Sequence, residues 1–234
     1  MKTTVAISFA AIVFGCAAAS AADLPMKAPL VAPPPSSMSW TGCYVGADAG
    51  FVWGRSNLNI PAYPFTGDIN MDSFAGGPFV GCNYQFASNW VIGVEGDWSW
   101  MDLNGDVLTG GGSSERYAQK WDWSASVRGR LGFVMPSNTL WYVTGGGAWA
   151  HLDNALFTHV GAPNSTTVAG THSGWTIGAG VEHALIPTAP YWIVGLEYLY
   201  AKYDRVTYVC SVCGPVNFDL QTHTVRLRLS VKFP

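Results

Sequence analysis

The stretch at residues 121–135, WDWSASVRGRLGFVM, decides the fold because its alternate positions differ in chemistry. The odd positions are apolar or small and carry the large rings: Trp121, Trp123, Ala125, Val127, Gly129, Leu131 and Phe133. The even positions are polar or small and carry the charges: Asp122, Ser124, Ser126, Arg128, Arg130 and Gly132. A period of two indicates a β-strand with two unlike faces. Such a strand suits a soluble sheet, with its rings in a core, or a membrane barrel, with its rings in lipid and its charges in the lumen.

The composition of the whole chain favours the membrane barrel. Of 234 residues only 12% are charged, which is about half the usual share. Aromatic residues reach 14%, including 11 Trp, and 27 residues are Gly. Outside the first twenty residues no apolar run reaches about 18 residues, which argues against membrane-spanning helices. The net charge of −3, without basic clusters, argues against a nucleic-acid partner.

The N-terminal region has the features of an export signal. Lys2 precedes an apolar segment, and residues 19–21 form a small-x-small cleavage site, which predicts a signal peptide over residues 1–21. An alternative interpretation treats residues 13–16 as a lipobox with Cys16 lipidated, although Phe14 stands where a small residue is usual. Residues 22–39 are rich in Pro and predict a periplasmic tether. The barrel is then expected over residues 40–234.

Eight segments with two unlike faces follow this tether. They are predicted at residues 40–54, 73–86, 89–102, 117–134, 139–151, 172–185, 190–204 and 222–233. Short and long connections alternate between them, which is typical of outer-membrane barrels with periplasmic turns and external loops. The fold class is therefore predicted as all-β, an eight-stranded antiparallel up-and-down transmembrane β-barrel. Its even strand count places both barrel termini in the periplasm.

The inward faces of these segments carry equal numbers of acids and bases. The predicted lumen residues are Asp48, Glu95, Asp97, Glu182, Glu197, Arg128, Arg130, Arg226, Arg228 and Lys232. An eight-stranded barrel is just wide enough for side chains to fill it, and charges removed from water are costly unless they are paired. We therefore expect a plug of paired charges. A narrow porin-like channel for small hydrophilic solutes is the alternative.

The cysteines carry two separate predictions. Cys210 and Cys213 form a CxxC in the last long loop, where a local disulfide is the expected state outside the cytosol. Cys43 and Cys82 fall on adjacent antiparallel segments with outward parity. They could form a bridge or remain lipid-facing thiols, and the sequence leaves both states open.

The chain lacks a recognisable catalytic or cofactor-binding pattern. His223 beside Thr222 and His172 beside Ser173 are the pairs that a lipid-modifying enzyme could use, but neighbouring residues on a strand point to opposite faces. No enzyme activity, cofactor or metal is predicted. Trp53, Trp90, Trp100, Trp141, Trp149 and Tyr200 are expected to form girdles at the membrane interfaces.

Several motifs together resemble one family of small outer-membrane β-barrels from alphaproteobacteria, often labelled porin-family or opacity-protein-like surface antigens. They include WTGCYVGADAGFVWG, NWVIGVEGDW, RGRLG, YVTGGGAWA, GWTIGAGVEHAL, GLEYLY and TVRLRLSVKF. The resemblance covers the mature chain and implies an eight-stranded barrel with a structural or surface-antigen role and no catalytic residues. It also implies that Phe233 is the C-terminal aromatic read by the barrel-assembly machinery, although Pro234 follows it here. Cys43 replaces the usual aromatic after WTG.

The function expected from the sequence is structural: an outer-membrane protein that contributes to envelope integrity and presents loops as a surface antigen. The narrow channel and a loop-borne adhesin or receptor are the alternatives. The expected partners are outer-membrane lipid, lipopolysaccharide and the barrel-assembly machinery, and the protein is expected to be monomeric or loosely associated.

Overall fold

The computed structural model describes residues 38–60, 65–109, 115–158, 166–185, 191–210 and 214–233, and all of its regular structure is β. The strands are β1 (Gly42–Ile60), β2 (Phe65–Phe86), β3 (Trp90–Thr109), β4 (Glu115–Met135), β5 (Thr139–Thr158), β6 (Thr166–Ala184), β7 (Tyr191–Tyr203), β8 (Val206–Cys210) and β9 (Gly214–Lys232). Within these ranges no helix has the length and hydropathy of a membrane span.

The strands form one antiparallel sheet that closes on itself. Consecutive strands pair from β1 to β7, β9 follows β7, and β9 also pairs with β1. β7 and β8 pair with successive stretches of β9, so together they form one strand of the barrel wall, interrupted at Asp204 and Arg205. We call each such strand of the wall a stave. The ring therefore has eight staves, and the predicted eight-stranded up-and-down barrel is confirmed.

Two short turns connect staves at one end of the barrel, which we call the short-turn end. Residues 87–89 join β2 to β3, and residues 136–138 join β4 to β5. Ala87, Ser137 and Asn138 have positive φ values of 53°, 90° and 56°, which the tight reversals require. The third predicted turn, at residues 186–189, lies outside the described residues.

The outer surface carries an apolar belt edged by aromatic rows. At the short-turn end Trp90, Phe133 and Trp141 lie in one cross-strand row, and at the other edge Trp100 is opposite Trp123. Trp90 and Trp100 are ten positions apart on β3. This separation is about 34 Å along a strand and about 26 Å along the axis of a barrel tilted by about 40°. The belt thus has the height of a membrane's hydrocarbon layer.

The strands continue well beyond the second aromatic row, and here the predicted strand ends were wrong. β1 and β2 pair as far as Ile60 and Phe65, where a loop over residues 55–72 had been predicted. Above the row the polarity of the two faces is exchanged: Leu58 and Leu103 are buried inside, whereas Asn57 and Asn104 lie on the outer face. Because the prediction assumed apolar side chains outside, it ended the strands where this exchange begins. We call the strand segments on the far side of the Trp100–Trp123 row from the short turns, such as residues 55–60 of β1 and 65–72 of β2, the extended ribbon.

The face predicted for Trp121 was also wrong. Trp121 is only 1% exposed and its ring packs edge-on against His172 in the interior. The pairing of β4 with β5 shifts between Lys120 and Trp123, which marks a β-bulge. A bulge inserts one residue and reverses the faces of the residues beyond it, so Trp121 and Trp123 lie on opposite sides of the sheet.

Apolar clusters fill the barrel interior at both ends. In the extended ribbon the cluster includes Leu58, Ile69, Leu103, Trp121 and Phe218. At the short-turn end Met38 and Trp40 pack against Val91, Leu140 and Ile193. The predicted signal peptide and the tether up to residue 37 lie outside the described residues, and the tether's Met38 is buried in the barrel.

Close approach of the staves makes one interior glycine sensitive to substitution. A Cβ on Gly146 would overlap the backbone oxygen of Val127 and lie 2.7 Å from the Cα of Arg128, whereas one on the outward Gly129 would lie 3.9 Å from its nearest neighbour. Gly146→Ala should therefore destabilise the barrel by about 1–3 kcal/mol, and Gly129→Ala should change the stability much less. Urea unfolding of the refolded variants in detergent micelles measures both, and equal losses would contradict the proposed overlap.

Candidate functional site in the barrel lumen

A layer of charged side chains crosses the lumen between the two apolar clusters. Cross-strand register sets its composition, because Glu95 lies opposite Arg128, Glu197 opposite Arg226, and Asp48 opposite Arg228. Opposite charges on facing positions stabilise a strand pair. The layer is buried, and side chains from seven of the eight staves contribute to it: Tyr44, Asp48, Glu95, Asp97, Arg128, Arg130, Tyr142, Glu182, Glu197, Arg226 and Arg228.

Glu95 is one of two glutamates at the centre of the layer. It accepts hydrogen bonds from Arg128 at 2.6 Å, from Arg130 at 3.1 Å and from Arg228 at 3.0 Å. The hydroxyl of Tyr44 donates a further hydrogen bond at 2.8 Å. The carboxylate of Glu95 is thus surrounded by three guanidinium groups and one phenol.

Glu197 has a matching environment on the other side of the lumen. Its carboxylate lies 3.1 Å from Arg128, 2.7 Å from Arg226 and 2.8 Å from Arg228. The hydroxyl of Tyr142 donates to it at 2.9 Å. Arg128 and Arg228 therefore each bind both glutamates, and the four side chains form a closed ring of alternating charge across the lumen. We call this arrangement the charge ring.

Further ion pairs connect the charge ring to β6 and β1. Arg130 binds Glu182 at 2.8 Å. Arg226 binds Asp48 at 3.0 Å and Asp97 at 3.1 Å. Planar guanidinium groups suit this arrangement because their several N–H donors can serve more than one carboxylate at once.

Nine of the ten predicted lumen charges belong to this network, and Lys232 does not. Lys232 is 1% exposed, and its ammonium lies 4.6 Å from the ring centre of Tyr191. Among the described residues it makes no ion pair, because it lies nearer the short-turn end than the carboxylates do. Its predicted role in the paired plug was therefore wrong.

Aromatic side chains complete the layer, and the sequence did not predict their part in it. The Arg130 guanidinium lies 3.9 Å from the ring centre of Tyr142, and that of Arg228 lies 4.1 Å from the ring centre of Phe79. Tyr44 shares the inward parity of Asp48 on the same strand, whereas the alternation around Tyr142 is obscured by neighbouring glycines. Cation–π contacts of this kind stabilise desolvated guanidinium groups.

Little space remains in the lumen beside these side chains. A cavity of about 40 Å³ lies between the charge layer and the extended ribbon, lined by Asp97, Ser99, Thr222 and Arg226 among others. That volume accommodates a few water molecules at about 10–15 Å³ each. The apolar cluster of the extended ribbon lies beyond this cavity, and the apolar cluster of the short-turn end lies on the opposite side of the charge layer.

The sequence left two states possible for Cys43 and Cys82, and the structure contains the disulfide-bonded one. The residues are directly paired between β1 and β2 and form a disulfide bond. The predicted bridge between Cys210 and Cys213 lies outside the described residues.

The C-terminal aromatic, Phe233, is half exposed on the outer surface, and its backbone N–H donates to the Cys43 carbonyl at 2.9 Å. Pro234 lies outside the described residues.

The histidine pairs considered for catalysis lie on opposite faces of their strands. Thr222 is buried inside, whereas His223 is exposed and its ring accepts or donates a 2.7 Å hydrogen bond with the Tyr198 hydroxyl. His172 faces inward against the Tyr208 hydroxyl at 3.1 Å, and Ser173 is exposed. In the part of the chain that the structure describes, no three metal-ligating side chains converge. The absence of catalysis, metals and cofactors stays a prediction.

Removal of one shared guanidinium tests the charge ring. Arg128→Met leaves Glu95, Asp97 and Glu197 buried with fewer donors, so the free energy of unfolding should fall by about 3–5 kcal/mol. The matched control is Arg116→Met, because Arg116 pairs with Asp106 at 3.1 Å with both side chains about half exposed. An exposed pair contributes at most about 1 kcal/mol.

Lys232→Met provides a second control, because Lys232 is buried but has no acidic partner among the described side chains. It should lose less stability than Arg128→Met. Urea unfolding in lipid vesicles, followed by tryptophan fluorescence, measures all three variants. If Arg128→Met and Arg116→Met lose the same amount, the charge ring does not stabilise the barrel.

Comparisons with known proteins identify the family. A family model described as an outer membrane protein beta-barrel domain matches residues 7–233. The chain is 30% identical over 250 aligned positions to the 31 kDa outer-membrane immunogenic protein of Brucella melitensis, with 100% of both chains covered. It is 29% identical over 202 positions to the 22 kDa outer membrane protein of Rhizobium leguminosarum bv. viciae, covering 86% of this chain and 82% of that relative.

Solved structures of small outer-membrane proteins are similar at a greater distance. The crystal structures of OprG from Pseudomonas aeruginosa and of Neisserial surface protein A give TM-scores of 0.45 and 0.42. Each is 14% identical, covers 82% of this chain, and is itself covered to 97% and 98%. The family match and the named relatives confirm the resemblance found in the sequence motifs. The chain belongs to the outer membrane protein beta-barrel domain family and is an integral protein of the outer membrane.

Proposed function

We propose that this protein is a closed structural barrel that contributes to envelope integrity and presents its extended ribbon as a surface antigen. The charge ring carries this proposal. Arg128 and Arg228 bind Glu95 and Glu197 across the full width of the lumen, so the ions that would line a channel are bound to one another instead.

Energetics support a lumen that stays closed. A solute passing through would have to separate guanidinium and carboxylate groups that have little contact with water, and breaking a buried pair costs about 3–5 kcal/mol. Each ring member takes part in several pairs, so displacement of one side chain disturbs the others. The apolar clusters add two further barriers, because water enters narrow apolar constrictions reluctantly.

The extended ribbon supports the antigen role. Its outer face carries hydrophilic side chains, among them Asn57, Asp68, Asp106 and Arg116, while apolar side chains fill its interior. This arrangement holds a polar surface in a rigid shape outside the apolar belt. A relative is named as an immunogenic outer-membrane protein, and we extend that property to this chain. We also propose that the short turns face the periplasm and the ribbon faces outward.

Planar bilayer recordings test the closed lumen. The purified wild-type protein should give no stable conductance steps. A variant that removes one central pair, Glu197→Ala with Arg228→Ala, should open a gap in the charge ring and raise the conductance. Large stable steps from the wild-type protein, with no change in the double variant, would favour the alternative of a solute channel.

Labelling of single cysteines on intact cells tests the orientation. In a variant without Cys210 and Cys213, a cysteine introduced at Asp106 should react with a membrane-impermeant maleimide, because this side chain is exposed on the ribbon. A cysteine introduced at Ser88, in the turn after β2, should react only after the outer membrane is permeabilised. The reverse pattern would overturn the proposed orientation.

A further inference from the structure

Two basic side chains lie in one row on the outside of the barrel. Arg55 on β1 is opposite Gln221 on β9, and Gln221 is opposite Lys202 on β7. Arg55 and Lys202 are exposed on the outer face of the sheet, and Gln221 between them is partly exposed. Directly opposed residues have Cα atoms about 5 Å apart, so the two cations extend from backbone positions about 10 Å apart. We call these three residues the cation row.

These two cations differ from the other basic residues on the outer face of the described strands and turns. Arg116, Lys120 and Arg205 have acidic partners at 3.1, 3.4 and 3.4 Å. Arg55 and Lys202 have no acidic partner among the described side chains, and Arg55 donates instead to the Asn70 amide oxygen at 3.2 Å. The only outward basic residues in this part of the chain without a carboxylate are therefore neighbours in one row.

Two cations in one row, neither with an acidic partner among the described side chains, can share a single anion placed between them. Phosphate suits the position because a guanidinium can bind two of its oxygens and an ammonium can bind a third. Gln221 adds a donor, since its amide oxygen accepts from the Tyr200 hydroxyl at 3.3 Å and its NH₂ group can donate. The cation row thus combines two charges and one neutral donor.

The surroundings of the row indicate that the phosphate belongs to a lipid. An aromatic row crosses the same three strands, two positions closer to the belt on each strand. It consists of Trp53, His223 and Tyr200. The rings of Tyr200 and His223 lie 5.1 Å apart, and Trp175 packs on Tyr200 at 5.6 Å. Aromatic side chains of this kind mark the boundary between hydrocarbon and headgroups. The cation row therefore lies at headgroup level, directly above rings that can contact acyl chains.

We propose that Arg55, Gln221 and Lys202 bind the phosphate of an outer-leaflet lipid headgroup. The assignment of the leaflet rests on the orientation proposed above, in which the extended ribbon faces outward. The site opens onto the apolar belt and not into the lumen, so a membrane lipid is the ligand it fits, rather than a soluble phosphate.

Lipid titration in detergent micelles tests this site independently of membrane orientation and of conductance. The wild-type protein should bind diphosphorylated lipid A, measured by tryptophan fluorescence and by native mass spectrometry, and should bind the dephosphorylated lipid much more weakly. Arg55→Gln with Lys202→Gln should weaken binding of the phosphorylated lipid about 30-fold, and each single variant about fivefold.

The matched control is Arg116→Gln with Lys120→Gln, which removes the same charge from cations that already have acidic partners. It should leave lipid binding within about twofold of the wild-type value. Equal weakening in both double variants, or no preference for the phosphorylated lipid, would overturn the proposal. Displacement of the lipid by millimolar inorganic phosphate would also overturn it, because the site would then select free phosphate.

Discussion

Each stave of this barrel passes through two surroundings, and its two-residue alternation must satisfy both of them. Within the belt the outer face meets hydrocarbon, so charged side chains there have to point inward, and an outward acid, Asp72, is found only at the belt's upper edge, opposite Trp53. Above the belt the outer face meets water, so polar side chains return to the outside and apolar ones turn inward. β1 shows both regimes without a change of parity: Phe51 and Trp53 are outside within the belt, and Arg55 and Asn57 are outside above it.

This constraint accounts for the paired charges that fill the lumen. Inward charges in a ring of only eight staves are too close together to remain separately hydrated. Their pairing across the lumen, with Arg128 and Arg228 each shared by two glutamates, satisfies the buried carboxylates and also ties distant staves together. Stability and the closure that we propose therefore have the same cause. Gly146 belongs to the same arrangement, because at this height the backbone of β4 approaches too closely for a side chain on β5.

Much of the fold followed from alternation alone, and the failures have particular physical reasons. Parity correctly placed Asp48, Glu95 and Arg226 in the interior, because the contrast between rings and charges is strong within the belt. It placed Trp121 on the wrong face, since the alternation of residues 121–133 in the sequence shows no irregularity at the bulge. It ended the strands too early, since the polarity of the faces reverses where water replaces lipid. Such a reversal could have been recognised at residues 55–58, where a polar residue first takes the outward position.

Contacts that depend on register lay beyond the reach of the sequence. Whether Cys43 meets Cys82, and which carboxylate meets which guanidinium across the lumen, depends on the stagger of all eight staves together. Parity gives the face of a residue but not its height, and Lys232 illustrates the difference: it points inward as expected but lies too near the short-turn end to reach an acid. Arg55 and Lys202 show the same principle on the outer face. They are 147 positions apart in the chain, and only closure of the ring through β9 makes them neighbours.

A barrel filled in this way has its reactive surface on the outside. Apart from Lys232, the charged side chains inside are paired with one another. Binding of other molecules therefore depends on outward side chains that have no oppositely charged partner. In the described part of the chain the outward basic side chains that have no acidic partner are Arg55 and Lys202, at the upper edge of the belt. The apolar core of the ribbon holds both in fixed positions, because strands paired on two sides and packed from within cannot move independently. Rigidity of the interior is thus the condition for recognition at the surface.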